Sequence, residues 1–381
     1  MIVNCDMLSI KCITNRFVKR LNCLHGHGGY SGMSWQRIVI SIILPVHNAQ
    51  PFIDECLKSV YTQTYSEPFE LSIFNDGSTD ETSNAIKHWI PILAERNIMT
   101  VVSGHTDPPR GVGYAKNRAI EQSTGAYLCF LDADDIMSST RIEKQLHHLE
   151  TCSNNTIVGS KFHRIPEDST KRYTLWANTL TVDQLYTQRY TSHGPTVIMP
   201  TWFCHRSVFQ AVGGFDESGR GTPEDLIFFN KHLDIGGKLA RVDEDLLMYR
   251  YHANAATFSV SEQTIWDIRV QALQDNVLCH WNKFSIWNAG KQGRKLYRSL
   301  TDENKRKVIA FCDVDQRKIS RGFYTYEESS AQPKPKIPIV HYSQVEKPII
   351  ACIKLGMTNG LFEQYLETCE LVEGQDFYHF N

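Results

Sequence analysis

Ala126-Tyr-Leu-Cys-Phe-Leu131 runs without a break into Asp132-Ala-Asp-Asp135. Six apolar or aromatic residues followed at once by three acids read as a strand buried on both faces, ending where carboxylates are needed. Ile38-Val-Ile-Ser-Ile-Ile-Leu44, stopped by Pro45, repeats the pattern upstream, and Phe69-Glu-Leu-Ser-Ile-Phe74 does so again before Asn75-Asp76. Between them, 49–64, 79–94 and 111–123 carry apolar residues at helical spacing, and Met99 to Ser103 is a third strand; Pro91 is expected to kink or end the second helix. Strands alternating with helices predict an α/β fold with a mostly parallel, Rossmann-like sheet. In such sheets ligands lie at the carboxyl ends of the strands, so Asp76 and Asp132 to Asp135 are expected to share one crevice.

Beyond residue 160 the rhythm loosens. Thr196 to Met199 and Leu246 to Tyr249 read as strands, Glu224 to Leu233 as a helix, and about 262–282 as a helical connector. Phe284 to Gly290 then opens a new strand-turn-helix, with Val308 to Asp313 as the next strand. This organisation predicts an extension over 1–37, expected to be disordered, a main domain over 38–282 and a second, smaller Rossmann-like α/β domain over 283–381.

The chain has 381 residues and a formal charge of −2, which excludes a globally basic nucleic-acid coat but not a local basic patch. Eleven cysteines show no CxxC or zinc-like spacing and read as reduced thiols, with Cys129 and Cys352 as core residues. An odd count of cysteines with no pairing pattern favours a reducing compartment, so a cytoplasmic protein is expected; residues 1–38 carry five Lys and Arg against one acid, which gives a mitochondrial presequence as the alternative. No run approaches the roughly 18 apolar residues of a membrane span, and no transmembrane anchor is expected.

Asp132 and Asp134, at i and i+2, would project to one side of an extended chain as two hard oxygen ligands for Mg²⁺ or Mn²⁺, suiting a nucleotide-diphosphate substrate. The same acids would also serve a turn in which Asp135 or Ser138 caps the next helix. Asp76 can accept hydrogen bonds from a uracil ring or ribose, or make a plain Asx turn. Asp225, after Pro223-Glu224, either faces the cleft or caps a helix, and His252, ending Tyr249-Arg-Tyr-His252, either joins a metal or is simply exposed. Arg110 and Lys116 either bind a diphosphate or face solvent.

Together, Ile42-Ile-Leu-Pro-Val-His-Asn48, Phe74-Asn-Asp-Gly-Ser-Thr-Asp80, Asp132-Ala-Asp-Asp135 and Glu224-Asp225 resemble glycosyltransferase family 2 over about 38–255. The resemblance implies a GT-A fold, a UDP-sugar donor, a divalent metal and an inverting single displacement. It implies that Pro45, Val46 and Asn48 shape the nucleotide pocket, that Asp76 holds uridine and that Lys116 and Asp132 bind the nucleotide sugar. Asp132, Asp134 and His252 would take the metal, and Asp225, with Glu224 beside it, would deprotonate the acceptor. Gly111-Val-Gly-Tyr-Ala-Lys-Asn117, Gly194 to Cys204 and Ile286 to Arg294 extend the similarity to tRNA-modifying members of that family. That implies galactose transfer from UDP-galactose to the cyclopentenediol of queuosine in a tRNA anticodon, with tRNA-Tyr expected. The alternative is transfer of another sugar, such as N-acetylglucosamine, to a glycan or protein.

Between Lys283 and Lys336 there are 13 Lys and Arg against 6 Asp and Glu, with aromatics interleaved. This predicts an RNA contact that includes Arg294, Lys305, Arg306 and Lys307, set against a merely solvated face. Asn288-Ala-Gly290-Lys-Gln-Gly293 resembles a dinucleotide fingerprint with its first glycine replaced, which disfavours NAD.

Overall fold

The computed structural model describes residues 39–191 and 194–381; what was expected of 1–37 lies outside the described residues. Eight strands form the first sheet: β1 (Ile40–Val46), β2 (Glu70–Asp76), β3 (Met99–His105), β4 (Tyr127–Phe130), β5 (Ile136–Met137), β6 (Thr156–Ile165), β7 (Phe203–His205) and β8 (Lys238–Arg250). Their order is β3-β2-β1-β4-β7-β6-β8-β5. The first four are parallel, and β7 then runs antiparallel to both β4 and β6. The Rossmann-like half is thus β3-β2-β1-β4, as the alternation of strands and helices requires.

The helices are α1 (Ile53–Tyr61), α2 (Thr82–Glu95), α3 (Val112–Gln122), α4 (Arg141–Glu150), α5 (Lys171–Thr179), α6 (Val182–Thr187), α7 (Arg206–Val212), α8 (Glu224–Asp234) and α9 (Glu262–Asn276). In α1, Ile53, Cys56, Leu57 and Val60 are buried at the spacing of one helical face. Pro91 neither ends nor bounds α2; it sits on the solvent side, and the helix runs four residues past it. Register is pinned by a buried carboxylate. Glu70 of β2 accepts hydrogen bonds from Ser41 Oγ of β1 and from the Thr124 and Gly125 amides leading into β4.

Thr196 to Met199 is not a strand. The chain there runs between Pro195 and Pro200 into a tight turn over Met199–Thr201, and the strand is β7, four residues beyond. Thr196 to Trp202 are all buried, so an apolar run could not separate a buried turn from a buried strand. The ten-residue β6 straddles the point near residue 160 where the rhythm loosens and is not among the strands expected from sequence, and β8 extends eight residues ahead of Leu246. The acids Asp243, Glu244 and Asp245 interrupt the apolar signal of β8, and its register against β6 shifts there.

The second sheet holds β9 (Phe284–Trp287), β10 (Val308–Asp313), β11 (Phe323–Thr325), β12 (Lys336–His341), β13 (Ile349–Ala351) and β14 (Phe377–His379), in the order β11-β12-β10-β9-β13-β14. All neighbours are parallel except the β11–β12 pair. Around it lie α10 (Lys291–Ser299), α11 (Asp302–Arg306), α12 (Gln316–Ile319) and α13 (Leu361–Thr368). The connector α9 packs into this second core: Trp266, Val270 and Leu273 join Phe284, Leu296 and Phe311 in one cluster. Among the described residues no helix is long and apolar enough to cross a membrane.

Trp202 lies at the centre of the core between the first sheet and α8. It is fully buried, meets the rings of Phe130, Phe228 and Phe229, and donates its indole N–H to Val197 O at 2.7 Å. Trp202→Ala is expected to cost about 3–5 kcal/mol of stability, measured by chemical denaturation.

Candidate functional site

The carboxyl ends of β1, β2 and β4 and the start of α8 bring the acids of the sequence motifs to one side of the first sheet. Pro45 and Val46 are buried at the end of β1. Asn48 has a φ of 46° and clamps the next loop: its Oδ1 accepts the Thr79 amide at 2.8 Å, and its own N–H donates to Ser78 Oγ at 2.9 Å.

Asp76 does not offer a free carboxylate to a uridine. Its oxygens accept the Arg110 amide at 3.0 Å, the Gly111 amide at 2.8 Å and His105 Nε2 at 2.9 Å, and the residue is buried. Those donors occupy most of its lone pairs, so Asp76 pins the segment before α3 over the end of β2. The Asx turn is made by its neighbour, with Asn75 Oδ1 accepting the Ser78 amide. Gly77 follows with a φ of +66°, and a Cβ there would meet Asp107 O at 2.3 Å, which fixes how closely that segment approaches.

Asp132 and Asp134 do not lie on an extended chain. β4 ends at Phe130, and 132–135 is a turn closed by the Asp135 amide on Asp132 O at 3.1 Å. Asp134 Oδ2 lies 2.8 Å from His252 Nε2, so His252 is paired rather than merely exposed. Asp135 is buried and accepts the Arg250 amide at 2.9 Å; it caps no helix, because α4 begins later, after Thr140. Asp132 Oδ1, Asp135 Oδ2 and His252 Nδ1 are buried with no hydrogen-bond partner. Among the described residues no three His, Cys, Asp or Glu side chains converge as a metal cage. Asp134 and His252 meet, while Asp132 stands beside them without completing a triad.

On the other side of Asp132 lies a buried ion pair. Lys116 of α3 donates to Glu224 Oε1 of α8 at 2.8 Å, and its side chain is 2% exposed. Lys116 is therefore neither solvent-facing nor aimed at a diphosphate. Glu224 holds that lysine, and Asp225, next in the chain, is only part-buried; its Oδ1 accepts its own neighbour's amide, Leu226 N, at 2.7 Å, so it is not an N-cap. Gly113 permits the approach of the two helices, since a Cβ there would meet Asp216 O at 2.1 Å and Glu224 Cβ at 3.2 Å.

The electrostatics follow from too many acids for the cations present. Burial, then Glu224 and Asp132, push the Asp225 carboxyl up to about 7, with Lys116 opposing. Burial, then Asp134 and Glu224, raise Asp132 to about 6 against Lys116 and Arg141. Burial and the same two aspartates hold Asp135 well above the usual carboxylate range. Burial works against the Lys116 charge, yet Glu224, Asp132 and Asp225 together keep its ammonium above its ordinary value. The arrangement is a carboxylate cluster short of positive charge, with one acid poised to exchange a proton near neutrality.

Arg250 is a site residue that the sequence motifs do not single out. Its amide binds Asp135, its Nε donates to Asp134 O at 2.9 Å, and it pairs with Glu55 of α1. A cation closing the apolar strand Leu246 to Tyr249 is the signal that marks it. His105 and the Arg110 amide carry no such signal, because their role depends on a backbone turn.

Residues 41–213 match glycosyl transferase family 2. The chain is 27% identical over 266 residues to the uncharacterized glycosyltransferase EpsJ of Bacillus subtilis, covering 68% of this chain and 74% of that one. It is 22% identical over 303 residues to glycosyltransferase GlyG of Streptococcus pneumoniae, covering 73% and 98%. Among solved structures, S. aureus TarS 1–349 in complex with UDP-GlcNAc aligns with a TM-score of 0.50 at 16% identity, over 71% of this chain and 72% of that one. The fold is that of the GT-A glycosyltransferases.

Because the folded Asp225 carboxyl sits above its unfolded value, its contribution to stability is fully present below about pH 4 and is lost as pH rises through about 7. In metal-free buffer the stability difference between Asp225→Asn and wild type is therefore expected to move in the variant's favour from pH 4 to pH 8, read by thermal unfolding at each pH.

Proposed function

We propose that the protein is an inverting glycosyltransferase that moves a hexose from a UDP-sugar to an acceptor hydroxyl, with Asp225 as the general base. The observation that carries this is a part-buried carboxyl raised to about 7, next to an acid cluster that lacks compensating charge. An acid of that strength takes a proton from an alcohol as the alcohol attacks, a contribution worth about 10²–10⁴-fold. The acceptor oxygen bonds to the anomeric carbon on the face opposite the leaving group, the bond from that carbon to the UDP oxygen breaks, and the alcohol proton passes to Asp225.

The donor diphosphate belongs beside Asp132, Asp134 and His252. Unpartnered buried atoms on Asp132 and His252, and the mutual repulsion that raises Asp132, suit a divalent cation there. Bound there, Mn²⁺ or Mg²⁺ would supply charge neutralisation to the departing diphosphate. Glu224, held by Lys116, positions Asp225 and keeps its proton affinity high. Asp76 acts on the donor through the 105–111 segment it anchors, beside the pocket floor of Pro45, Val46 and Asn48.

The finer reading is galactose transfer from UDP-galactose to the cyclopentenediol of queuosine in tRNA. It is supported by the motif similarity and by the excess of cations between Lys283 and Lys336. UDP-GlcNAc, the sugar nucleotide named for the TarS complex, is the competitor to test. With Mn²⁺ present, purified protein offered both donors and queuosine-containing or queuosine-free tRNA should yield a hexosylated nucleoside by mass spectrometry only with UDP-galactose and queuosine. No transfer to either tRNA, with N-acetylglucosamine passed from UDP-GlcNAc to a glycan or protein acceptor offered in parallel, would overturn the tRNA reading in favour of that alternative.

Asp134→Asn is expected to abolish transfer and to remove the thermal shift that Mn²⁺ with UDP gives the wild type. Asp225→Asn should retain UDP affinity in calorimetry while turnover falls by about 10²–10⁴-fold.

A further inference from the structure

The carboxyl ends of β9 and β10 open into a cleft of about 580 Å³ that the transfer chemistry does not use. One wall carries Lys291, Arg294 and Arg298 of α10, and the other Arg317, Lys318 and Arg321. Two of these six are compensated: Lys318 pairs with Asp313 at 2.8 Å and Arg317 with Asp315 at 3.4 Å. Among the described residues, Lys291, Arg294, Arg298 and Arg321 have no carboxylate partner. Arg294 also leaves its Nε buried with no hydrogen-bond partner, and its guanidinium lies 4.9 Å from the Tyr324 ring. α10 starts at Gly290 with no side-chain cap, so its terminal amides add to the positive field.

Arg294, Arg298 and Arg321 form a shared wall with an adjoining cleft of about 430 Å³, which Phe323, Tyr324 and Tyr326 line. Phe323 is 46% exposed. A mononucleotide fits this site poorly. Asp313, at the strand end where a ribose would be held, is buried and already accepts the Ala289, Val314 and Asp315 amides and Lys318 Nζ. Glu327 and Glu328 also line the adjoining cleft, but neither pairs with these four cations, and four cations without an ion-pair partner beside an aromatic ledge match a phosphodiester chain with unstacked bases.

We propose that these adjoining clefts form a groove for single-stranded RNA, with phosphates against Lys291, Arg294, Arg298 and Arg321 and bases on Phe323 and Tyr324. This deepens the tRNA reading of the acceptor and rests on it. It also relocates the contact: Lys305 pairs with Asp302, and Lys307 is held by Leu278 O and Glu303, which leaves Arg294 and the exposed Arg306 of the four residues expected from sequence.

The test uses the full chain and an unmodified anticodon stem-loop, followed by fluorescence anisotropy across a salt series. Lys291 and Arg321 are exposed, so K291E/R321E should fold; a matched UDP affinity confirms it. RNA affinity is expected to fall at least about tenfold, the salt slope to drop by about 2, and K291R/R321K to restore both. F323A should weaken binding without changing the slope. Unchanged affinity in K291E/R321E overturns the groove, as does displacement of the RNA by micromolar UMP or inorganic phosphate, which would mark a small-anion site. Groove-dependent RNA binding without sugar transfer to queuosine removes the acceptor reading and leaves the groove. Transfer to queuosine tRNA with an unaltered KM in K291E/R321E removes the groove and leaves the acceptor reading.

Discussion

The Lys116–Glu224 ion pair is the contact on which the site depends. It joins α3, which packs on the parallel half of the sheet, to α8, and it is nearly buried. A buried ion pair contributes little net stability, because desolvation offsets most of the attraction. Its value here is positional: it sets a carboxylate and a lysine beside Asp225, and the chain cannot separate them without leaving a buried charge unpaired. Burial, and then the neighbouring acids, raise Asp132 and Asp225, and the charge of Lys116 offsets this only in part.

The same imbalance links the two halves of the site. Asp132 is influenced by Asp134 on one side and by Glu224 on the other, so a change in charge at the Asp134–His252 end is felt at Asp225. A cation near Asp134 would favour ionised carboxylates and so lower the proton affinity of Asp225. The anchored 105–111 segment completes the arrangement from the other edge, with Asp76 holding backbone amides.

Much of the architecture was legible in the residues. Continuous apolar strands stopped by Pro45, Asn75-Asp76 and Asp132 define the parallel half, because a strand buried on both faces leaves an unbroken run and its carboxyl end leaves polar residues. Antiparallel β7 was not legible, since Thr196 to Trp202 are as buried as any strand. The acids of the site were legible as residue types, but not their partners. Spacing suggested that Asp132 and Asp134 act together, whereas a turn places Asp134 on His252; Asp76 looked free until the Arg110 and Gly111 amides closed on it. Pairings of this kind join residues tens of positions apart through a turn or a neighbouring strand, and local pattern does not encode them. The basic stretch was legible as charge, yet Lys305 and Lys307 find partners within their own neighbourhood.

The connector helix has a consequence for how the chain can be divided. Trp266, Val270 and Leu273 of α9 are sealed by Phe284, Leu296 and Phe311, and Arg269 donates to the carbonyl of the last residue, Asn381. Glu373 in turn accepts a hydrogen bond from Thr187 at 2.7 Å. Cutting the polypeptide at the seam between the sheets would strip an oily stripe bare and invite aggregation, so the half built on the first sheet is not a portable fragment.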